Sequence, residues 1–218
     1  RQSKLREDGT TRMSLIDFQK SVGTLNNFFS WQHRFNEDIT VVAGVHNMNV
    51  LLNNKSTLGP RISLNWQLDP TSSFQAGYGK HSTMESVHNY NAKVESPDGK
   101  ITEPNKNLDL LKAHHFVLGY EKRFAKFLMG KAEVYYQSLY NLPVENRANS
   151  NFATINEGPD FNYVELVNKG TGKNYGIELT LEKYFKNNYY YLINGSIYSS
   201  TYQTLEGKER NTPYNGHY

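Results

Sequence analysis

Residues that could do chemistry are few in this chain, and most are widely scattered. Cysteine is absent, which excludes a disulfide scaffold, a thiolate nucleophile and any cysteine metal site. The stretch Gly170-Thr171-Gly172-Lys173 is similar to part of a phosphate-binding loop. Such a loop needs a following helix, whereas the alternating residues from Tyr175 to Phe185 predict a strand. We therefore interpret the glycines as residues that let a loop turn sharply into a strand.

Histidine and carboxylate residues offer one arrangement that could gather a metal ion. His81, Glu85 and His88 lie in or beside one long polar stretch and are residue types that bind metals. Ordinary loop polarity explains the same residues, and we predict no metal site. His114 and His115 are adjacent in a predicted strand, so they should point to opposite faces and cannot chelate one ion together.

Tyrosines and asparagines in the polar stretches are the best candidates for ligand contact. These residue types combine contact area with hydrogen bonding and recur at adaptable binding surfaces. The same residues could instead simply solvate a polar rim. The candidates are Tyr90, Asn91, Asn149, Asn151, Phe152 and Tyr163. No set of Ser, His and Asp stands out as a hydrolytic triad, so the sequence predicts no catalytic residue, no enzyme activity and no cofactor.

Alternating hydrophobicity predicts the elements that position these residues. A period of two over many residues indicates a strand rather than a helix. The eight predicted strands lie near residues 25–35, 38–50, 59–68, 72–81, 112–124, 126–140, 173–185 and 188–202. Residues 1–24 are polar and irregular, which predicts part of a loop. We predict no helix beyond a single turn at 107–112.

The segments between the predicted strands sort by length. The four short turns are near 35–38, 68–71, 123–126 and 185–188. The long polar stretches are 81–111, 140–173 and 202–218, with a medium one near 50–59. In an antiparallel up-and-down sheet this order places all short turns at one end and all long loops at the other. Outer-membrane β-barrels have this asymmetry, with tight periplasmic turns and long outside loops.

Two features favour lipid over a protein core as the surroundings of the apolar strand faces. The predicted strands are about 11–15 residues long, against a usual length near 5–6 in globular proteins. Their polar faces carry whole rows, such as Arg61, Ser63, Asn65 and Gln67, which suit a wet lumen. An Arg or Lys facing lipid near the midplane costs about 2–4 kcal/mol, so we predict that Arg61 and Lys131 point inward. A soluble β-sandwich with one solvated face stays open as an alternative.

Composition excludes a helical membrane protein but allows a barrel. Hydrophobic residues make up 37% of the chain and the mean hydropathy is -0.71, with no apolar run approaching the ~20 residues of a spanning helix. A barrel strand needs only about 9–11 residues, with alternate ones facing lipid. The 16 tyrosines suit a membrane–water boundary, although any all-β protein enriches tyrosine. The net charge of +3 is well mixed, so we predict no nucleic-acid partner.

Several motifs, taken in order, resemble TonB-dependent receptors. Residues 59–66, GPRISLNW, are similar to the strand that follows a sizeable outside loop in that family. Residues 168–179, NKGTGKNYGIEL, match the family's barrel strand N-x-G-x-G-x-x-x-G-I/V-E-L. Residues 210–216, RNTPYNG, are similar to the outside loop after the next strand. The resemblance runs through most of residues 25–218.

One further stretch resembles the family and also departs from it. Residues 107–112 and 115–121 are similar to the family's L-x-P-E … x-x-Y-E-L-G-Y-E. Leu111 stands where proline is usual, and Ala113 lies near the usual acidic position. The likeness is greatest to receptors that carry an N-terminal carboxypeptidase-regulatory-like domain.

The resemblance implies an all-β fold, an antiparallel up-and-down transmembrane β-barrel in the outer membrane, of which this chain holds about eight of 22 strands. We expect residues 1–218 to be an internal part of the barrel domain, because the chain has no initiator Met or signal peptide. The plug domain and the C-terminal strands are expected to lie outside it.

The function implied by the resemblance is receptor-mediated uptake, energised by TonB, of a siderophore, cobalamin or glycan. The expected partners are outer-membrane lipid, TonB through the plug domain, and the small-molecule or glycan ligand. A passive porin-like channel, an enzymatic outer-membrane barrel and a soluble carbohydrate-binding β-sandwich are the alternatives that the residues leave open.

Overall fold

A nine-stranded antiparallel sheet makes up most of the computed structural model, which describes residues 2–5, 12–16, 21–95, 98–157 and 163–216. The strands are β1 (Gln2–Leu5), β2 (Arg12–Ile16), β3 (Thr24–Arg34), β4 (Ile39–Val50), β5 (Lys55–Asp69), β6 (Ser72–Thr83), β7 (Val94–Glu95), β8 (Ile101–Thr102), β9 (Leu111–Ala125), β10 (Leu128–Glu145), β11 (Leu166–Lys186), β12 (Tyr189–Gln203) and β13 (Glu209–Asn211). The main sheet has the order β3-β4-β5-β6-β9-β10-β11-β12-β13. Its edge strands do not pair with each other within the described residues, so the sheet is open.

All eight predicted strands are confirmed as neighbours in this up-and-down sheet. Two of them are longer than predicted, because β10 continues to Glu145 and β11 begins at Leu166. The prediction of an irregular segment at 1–24 is wrong for β1 and β2, which pair as a separate hairpin, and for the start of β3.

Short helical turns occur where the sequence predicted only loop. They are α1 (Val87–Tyr90) and two 3₁₀ turns, Pro104–Asn107 and Thr154–Asn156. The single turn predicted at 107–112 is wrong, because the 3₁₀ turn ends at Asn107 and β9 begins at Leu111. No helix in the described ranges is long and apolar enough to cross a membrane.

Local turn chemistry explains the tight connections at one end of the sheet. Asn187 and Asn188 both have positive φ, 57° and 67°, as a two-residue hairpin turn that matches the strand twist requires. The side-chain oxygen of Asn36 accepts hydrogen bonds from the amides of Asp38 and Ile39, at 2.9 and 2.7 Å. The predicted sorting of connections is confirmed: the four short turns lie at one end, here the short-turn end, and the longer segments lie at the other, the long-loop end.

Apolar side chains form a continuous band across one face of the sheet. One row of cross-strand neighbours consists of Leu64, Ala76, Leu118, Val134, Ile177 and Ile197. Val134 is 43% exposed and Ile177 is 52% exposed, although neither belongs on a surface in contact with water. The predicted apolar faces are therefore confirmed as outward-facing, and they need an apolar environment that the described residues do not supply.

Polar side chains occupy the opposite face. A row of cross-strand neighbours there consists of Thr40, Asn65, Gln75, Gly119, Glu133, Glu178 and Ser196. Lys131 forms an ion pair with Glu133 on this face, and Arg61 lines a cavity there, so their predicted orientation is confirmed. Two large concavities open on the polar face, which is the face predicted to line a lumen.

The buried hydrophobic residues lie at the long-loop end rather than between layers of the sheet. One cluster contains Leu142, Val144, Ala153 and Tyr202. A second contains Tyr90, Leu108 and Leu166. The core of this structure therefore stabilises the loops and the strand ends that carry them.

Candidate functional site

The two longest connections pack against each other at the long-loop end. We call residues 84–95, 98–110, 146–157 and 163–165 the loop platform. Asn105 joins its two parts: the Asn105 side chain donates to the carbonyl of Val164 at 3.0 Å and accepts from the amide of Leu166 at 2.8 Å. Asn105 is fully buried, so both bonds replace lost contacts with water. Thr154 adds a third link by donating to the carboxylate of Glu85 at 2.7 Å.

A carboxylate at the base of the loop platform connects it to the strands. Asp109 accepts hydrogen bonds from the ammonium of Lys112 at 2.7 Å, the amide of Leu110 at 2.8 Å and the side chain of Asn141 at 2.9 Å. Burial acts to raise the pKa of Asp109, but the bonds from Lys112 and Leu110 outweigh it and lower the pKa below its usual value. Asp109 is therefore held in its charged form.

A bulge in β10 brings Asn141 to this carboxylate. Asn141 has a φ of 56°, and the pairing of β10 with β11 shifts between Leu139 and Leu142. Bulges of this kind re-aim a side chain away from the regular strand alternation. Asn168 of β11 completes the network: it accepts from the Asp109 amide at 2.7 Å and donates to the Asn141 carbonyl at 2.9 Å.

A cavity of about 410 Å³, here the rim cavity, opens beside the loop platform. It is lined by Asn151, Phe152, Ala153, Asn156, Glu157, Tyr202, Asn211, Thr212 and Pro213. The hydroxyl of Tyr202 donates to the carbonyl of Asn151 at 3.0 Å and so fixes one wall. The side-chain oxygen of Asn156 is buried without a hydrogen-bond partner in the described part of the chain. Aromatic surface, an orphaned amide oxygen and a carboxylate suit a polar ligand with an apolar part.

A second cavity, here the lumen cavity, lies on the polar face of the sheet and has a volume of about 610 Å³. Its charged or protonatable side chains from the polar face are His46, Arg61, His81 and His115. The rings of His81 and His115 lie 5.9 Å apart between centroids. No Asp or Glu is among the described residues that line it.

Comparison with known protein families decides what kind of sheet this is. Residues 7–218 match the family described as "TonB dependent receptor-like, beta-barrel". This chain belongs to that family. The sheet is thus a segment of an outer-membrane β-barrel, open because it is only part of one. Its exposed apolar band faces lipid, and its long-loop end is the outside end, since outer-membrane barrels carry their long loops there.

Solved structures with the same fold support this assignment. The RagAB peptide transporter aligns with a TM-score of 0.66 and 16% identity over 86% of this chain and 23% of its own. The outer membrane transporter YddB from Escherichia coli aligns with 0.65 and 16% over 88% of this chain and 26% of its own.

The siderophore receptor PirA from Pseudomonas aeruginosa aligns with a TM-score of 0.60 and 13% identity over 83% of this chain and 37% of its own. The chain thus spans between 23% and 37% of the length of these three proteins. No curated protein sequence matches it.

The receptor's rim cavity contains two of the six residues predicted to contact a ligand, Asn151 and Phe152. Asn149 is exposed nearby, and Tyr163 is half-buried in the loop platform. Asn91 is half-buried and donates to the carbonyl of Val87 at 2.9 Å. For all five, ligand contact stays a prediction.

Tyr90, the sixth predicted contact, is buried inside the loop platform. Its side chain is 1% exposed, and its hydroxyl accepts a hydrogen bond from the Glu85 amide at 3.3 Å. Burial raises the pKa of Tyr90, so the hydroxyl keeps its proton. In this conformation Tyr90 supports the platform from inside rather than presenting a surface to a ligand.

Other residues of the rim cavity were missed by the sequence analysis. Asn156 lies in a stretch that predicted only loop, and Tyr202 and Asn211 come from the far end of the chain. Nothing in their spacing connects them with residues 151–157, because the connection is made by the pairing of β11 with β12 and of β12 with β13.

Of the remaining motifs, the two histidines have the orientation that was predicted, whereas the sharp turn predicted at Gly170–Lys173 is wrong. The Gly170–Lys173 stretch lies within β11, where a Cβ on Gly170 would lie 2.4 Å from Cγ1 of Val144 and 2.9 Å from the carbonyl oxygen of Leu142. His114 and His115 do point to opposite faces, since His114 is bonded to Tyr78 on the lipid side while His115 lines the lumen cavity.

Metal binding finds no support in the described ranges. No group of three or more His, Asp or Glu side chains there is arranged to hold a metal ion, and this includes His81, Glu85 and His88. Glu85 is instead bonded to Asn89 and Thr154 within the loop platform.

Proposed function

We propose that the full-length receptor captures a nutrient ligand at its outside end and carries it across the outer membrane with energy supplied through TonB. The observation that carries this proposal is the loop platform, beside which opens a rim cavity lined by Asn156, whose buried amide oxygen has no partner in the described part of the chain. Loops that merely solvate a barrel rim have no need of a buried core and of fixed hydrogen bonds. Binding residues tend to lie on loops that a rigid scaffold positions.

The names of the structural neighbours support transport and leave the ligand class open. One neighbour is a siderophore receptor and another is a peptide transporter. A siderophore, cobalamin, a glycan or a peptide would each present polar groups and apolar surface to the rim cavity. These neighbours are transporters and a receptor, which supports transport rather than catalysis.

Several parts of this proposal stay predictions. They are the plug domain, the C-terminal strands, the N-terminal carboxypeptidase-regulatory-like domain and the contact with TonB. The lack of a nucleic-acid partner stays a prediction as well.

The test uses the full-length receptor in cells that depend on it for a limiting nutrient. We expect the double variant Asn156→Ala/Asn211→Ala to reduce ligand uptake about tenfold, because two hydrogen-bonding groups are removed from one cavity. Asn26→Ala, an exposed asparagine of β3 at the same end of the barrel, is the matched control and should leave uptake unchanged.

Uptake is then measured with and without the proton gradient of the inner membrane. Energised transport stops when the gradient is collapsed. Uptake that continues unchanged would contradict the proposal and favour a passive porin-like channel.

A further inference from the structure

We propose that the short-turn end of the barrel wall binds the anionic headgroup of a phospholipid in the periplasmic leaflet of the outer membrane. The site consists of Lys126, Lys183 and Lys186 with the rings of Phe127 and Tyr189, here the lysine cluster. It lies where the exposed apolar band ends, at the opposite end of the strands from the rim cavity. A lipid bound there is a partner of the barrel wall and is independent of the ligand that the receptor captures.

Strand alternation places Lys183 on the lipid-facing side. Lys183 lies an even number of positions along β11 from Ile177, which belongs to the apolar band. Its ammonium group reaches toward the turn, where it donates to the carbonyl of Lys186 at 3.1 Å and lies 3.9 Å from the centroid of the Tyr189 ring. A lysine of this kind lays its stem along apolar surface and puts its charge at the membrane boundary. Lys183 therefore marks the level at which the hydrocarbon ends.

The ring of Phe127 brings the other two ammonium groups together at the neighbouring turn. Nζ of Lys126 lies 5.6 Å from the centroid of this ring, and Nζ of Lys186 lies 5.2 Å from it. The carbonyl of Phe127 accepts a hydrogen bond from the amide of Tyr184 at 2.9 Å, which ties the turn after β9 to β11. Three ammonium groups from two adjacent turns thus converge at one place on the periplasmic rim.

No carboxylate in the described ranges neutralises the lysine cluster. None of its three lysines forms an ion pair there. Asp69, the acid of the adjoining turn, already pairs with Lys122 at 3.5 Å. Glu182 precedes Lys183 in β11 and therefore points to the opposite, lumen face. On the other side β12 has no Asp or Glu. The cluster is therefore a positive patch at the edge of the lipid-facing surface.

The position of the lysine cluster within the sheet leaves its outward side to the membrane. Described strands lie on both sides of the two turns, with β6 and β9 before β10 and β12 after β11. At this end the first strand beyond β12 is three strand spacings from β10, which is roughly 14 Å. Whatever fills the lumen of a barrel lies behind the wall, whereas the outward side of the wall meets lipid.

The chemistry of the lysine cluster fits a phosphodiester that is attached to acyl chains. Ammonium groups donate charge-assisted hydrogen bonds to phosphate oxygens, and lysines near a membrane surface attract anionic lipids. A zwitterionic headgroup brings a cation of its own, which the three lysines repel. Leu128, the cross-strand neighbour of Lys183, offers apolar surface to the start of an acyl chain. Free phosphate lacks that second contact.

The experiment counts the lipids that the purified full-length receptor retains in native mass spectrometry. The receptor is titrated in detergent micelles with phosphatidylglycerol or with phosphatidylcholine of the same acyl chains. We expect the receptor to retain phosphatidylglycerol at about tenfold lower concentration than phosphatidylcholine. A large excess of inorganic phosphate should not displace the bound lipid.

Paired variants then place the lipid at the lysine cluster. Lys126→Gln/Lys186→Gln should weaken retention of phosphatidylglycerol about tenfold, and Lys126→Arg/Lys186→Arg should preserve it because both charges remain. The matched control is Lys100→Gln/Lys208→Gln, which removes two exposed lysines at the long-loop end and should leave retention unchanged. Lys183→Gln gives a second loss and keeps the test usable if the double variant assembles poorly.

Three results would overturn the proposal. The first is equal retention of the two lipids by the wild-type receptor, as when an acidic side chain from elsewhere in the receptor neutralises the lysines. The second is an equal effect of the two double glutamine variants, because the attraction would then belong to the overall charge of the receptor. The third is displacement of the lipid by inorganic phosphate, which would indicate a site for a small anion.

Discussion

Two apolar regions of this receptor segment solve the same physical problem in different ways. In the lipid-facing band of the strands, Ile177 is 52% exposed and Ile197 is 74% exposed. In and beneath the loop platform, Leu110, Leu142 and Val144 are fully buried. The side chains of the band are covered by lipid, whereas those at the outside end are covered by other residues of the protein. Membrane burial therefore stabilises the barrel wall, and a small protein core stabilises the surface proposed to capture ligand.

This difference predicts different sensitivities to substitution. The lipid band is spread over many side chains, and lipid can fill the space that a smaller side chain leaves. The platform core is small and enclosed, so a lost side chain leaves a cavity. Within the barrel wall, a charged substitution should cost more stability on the lipid-facing side than on the lumen side.

The largest effect is expected in the platform core. Leu142→Ala should lower the free energy of unfolding by about 2–5 kcal/mol, because the side chain is fully buried among Val144, Ala153 and Tyr202. Ile177→Ala in the lipid band is the comparison and should cost clearly less. Both are measured by denaturant unfolding of the full-length receptor in bilayers, and equal costs would mean that the two regions share one kind of apolar environment.

A charge placed in the lipid band should cost nearly as much. Val134→Arg should lower the free energy of unfolding in bilayers by about 2–4 kcal/mol if the residue lies near the midplane, as its place in the central apolar row indicates. Glu133→Arg puts the same side chain on the lumen face and should be much milder. The opposite ranking would contradict an apolar environment for Val134 and a polar one for Glu133.

Loss of the buried asparagine should loosen the loops without affecting the barrel. Asn105→Ala leaves the Leu166 amide and the Val164 carbonyl unpaired in a buried place, at a cost of about 1–3 kcal/mol. Hydrogen exchange should rise across the loop platform and stay slow in the centres of β9 and β10. Asn146→Ala, an exposed asparagine bonded to Glu165, serves as the control, and a global rise in exchange would contradict a separate platform.

The smallest effect concerns pH. Because the pKa of Asp109 is lowered in the folded receptor, its contribution is fully present above the ordinary value of 3.8. That contribution is lost as the pH falls from this value through the lowered pKa. Hydrogen exchange at the base of the loop platform, taken relative to the intrinsic exchange rate at each pH, should therefore rise below pH 3.8 in the wild type. Asp109→Asn should lack this rise. An identical pH profile in both proteins would show that Asp109 does not cause the pH dependence.

The barrel wall was predictable from sequence because its signals are local. The alternation in β10, the asparagine pair at 187–188 and the sorting of loops by length each depend on neighbouring residues. The loop platform depends instead on contacts such as that between Asn105 and Leu166, which are 61 residues apart. Tyr90 illustrates the limit, since an aromatic in a polar stretch was interpreted as a rim residue and is buried. Asn211 reaches the rim cavity only through strand pairing that no spacing reveals.

The most direct test of the lipid-facing account is a scan of spin labels along β10. Single cysteines are placed from Lys131 to Tyr136 in the full-length receptor in bilayers, which is convenient because this chain has no native cysteine. Labels at Ala132, Val134 and Tyr136 should collide with lipid-soluble oxygen, and labels at Lys131, Glu133 and Tyr135 with a water-soluble nickel chelate. This alternation with a period of two is the predicted result. Equal exposure of neighbouring positions to both reagents, or the opposite phase, would contradict the account.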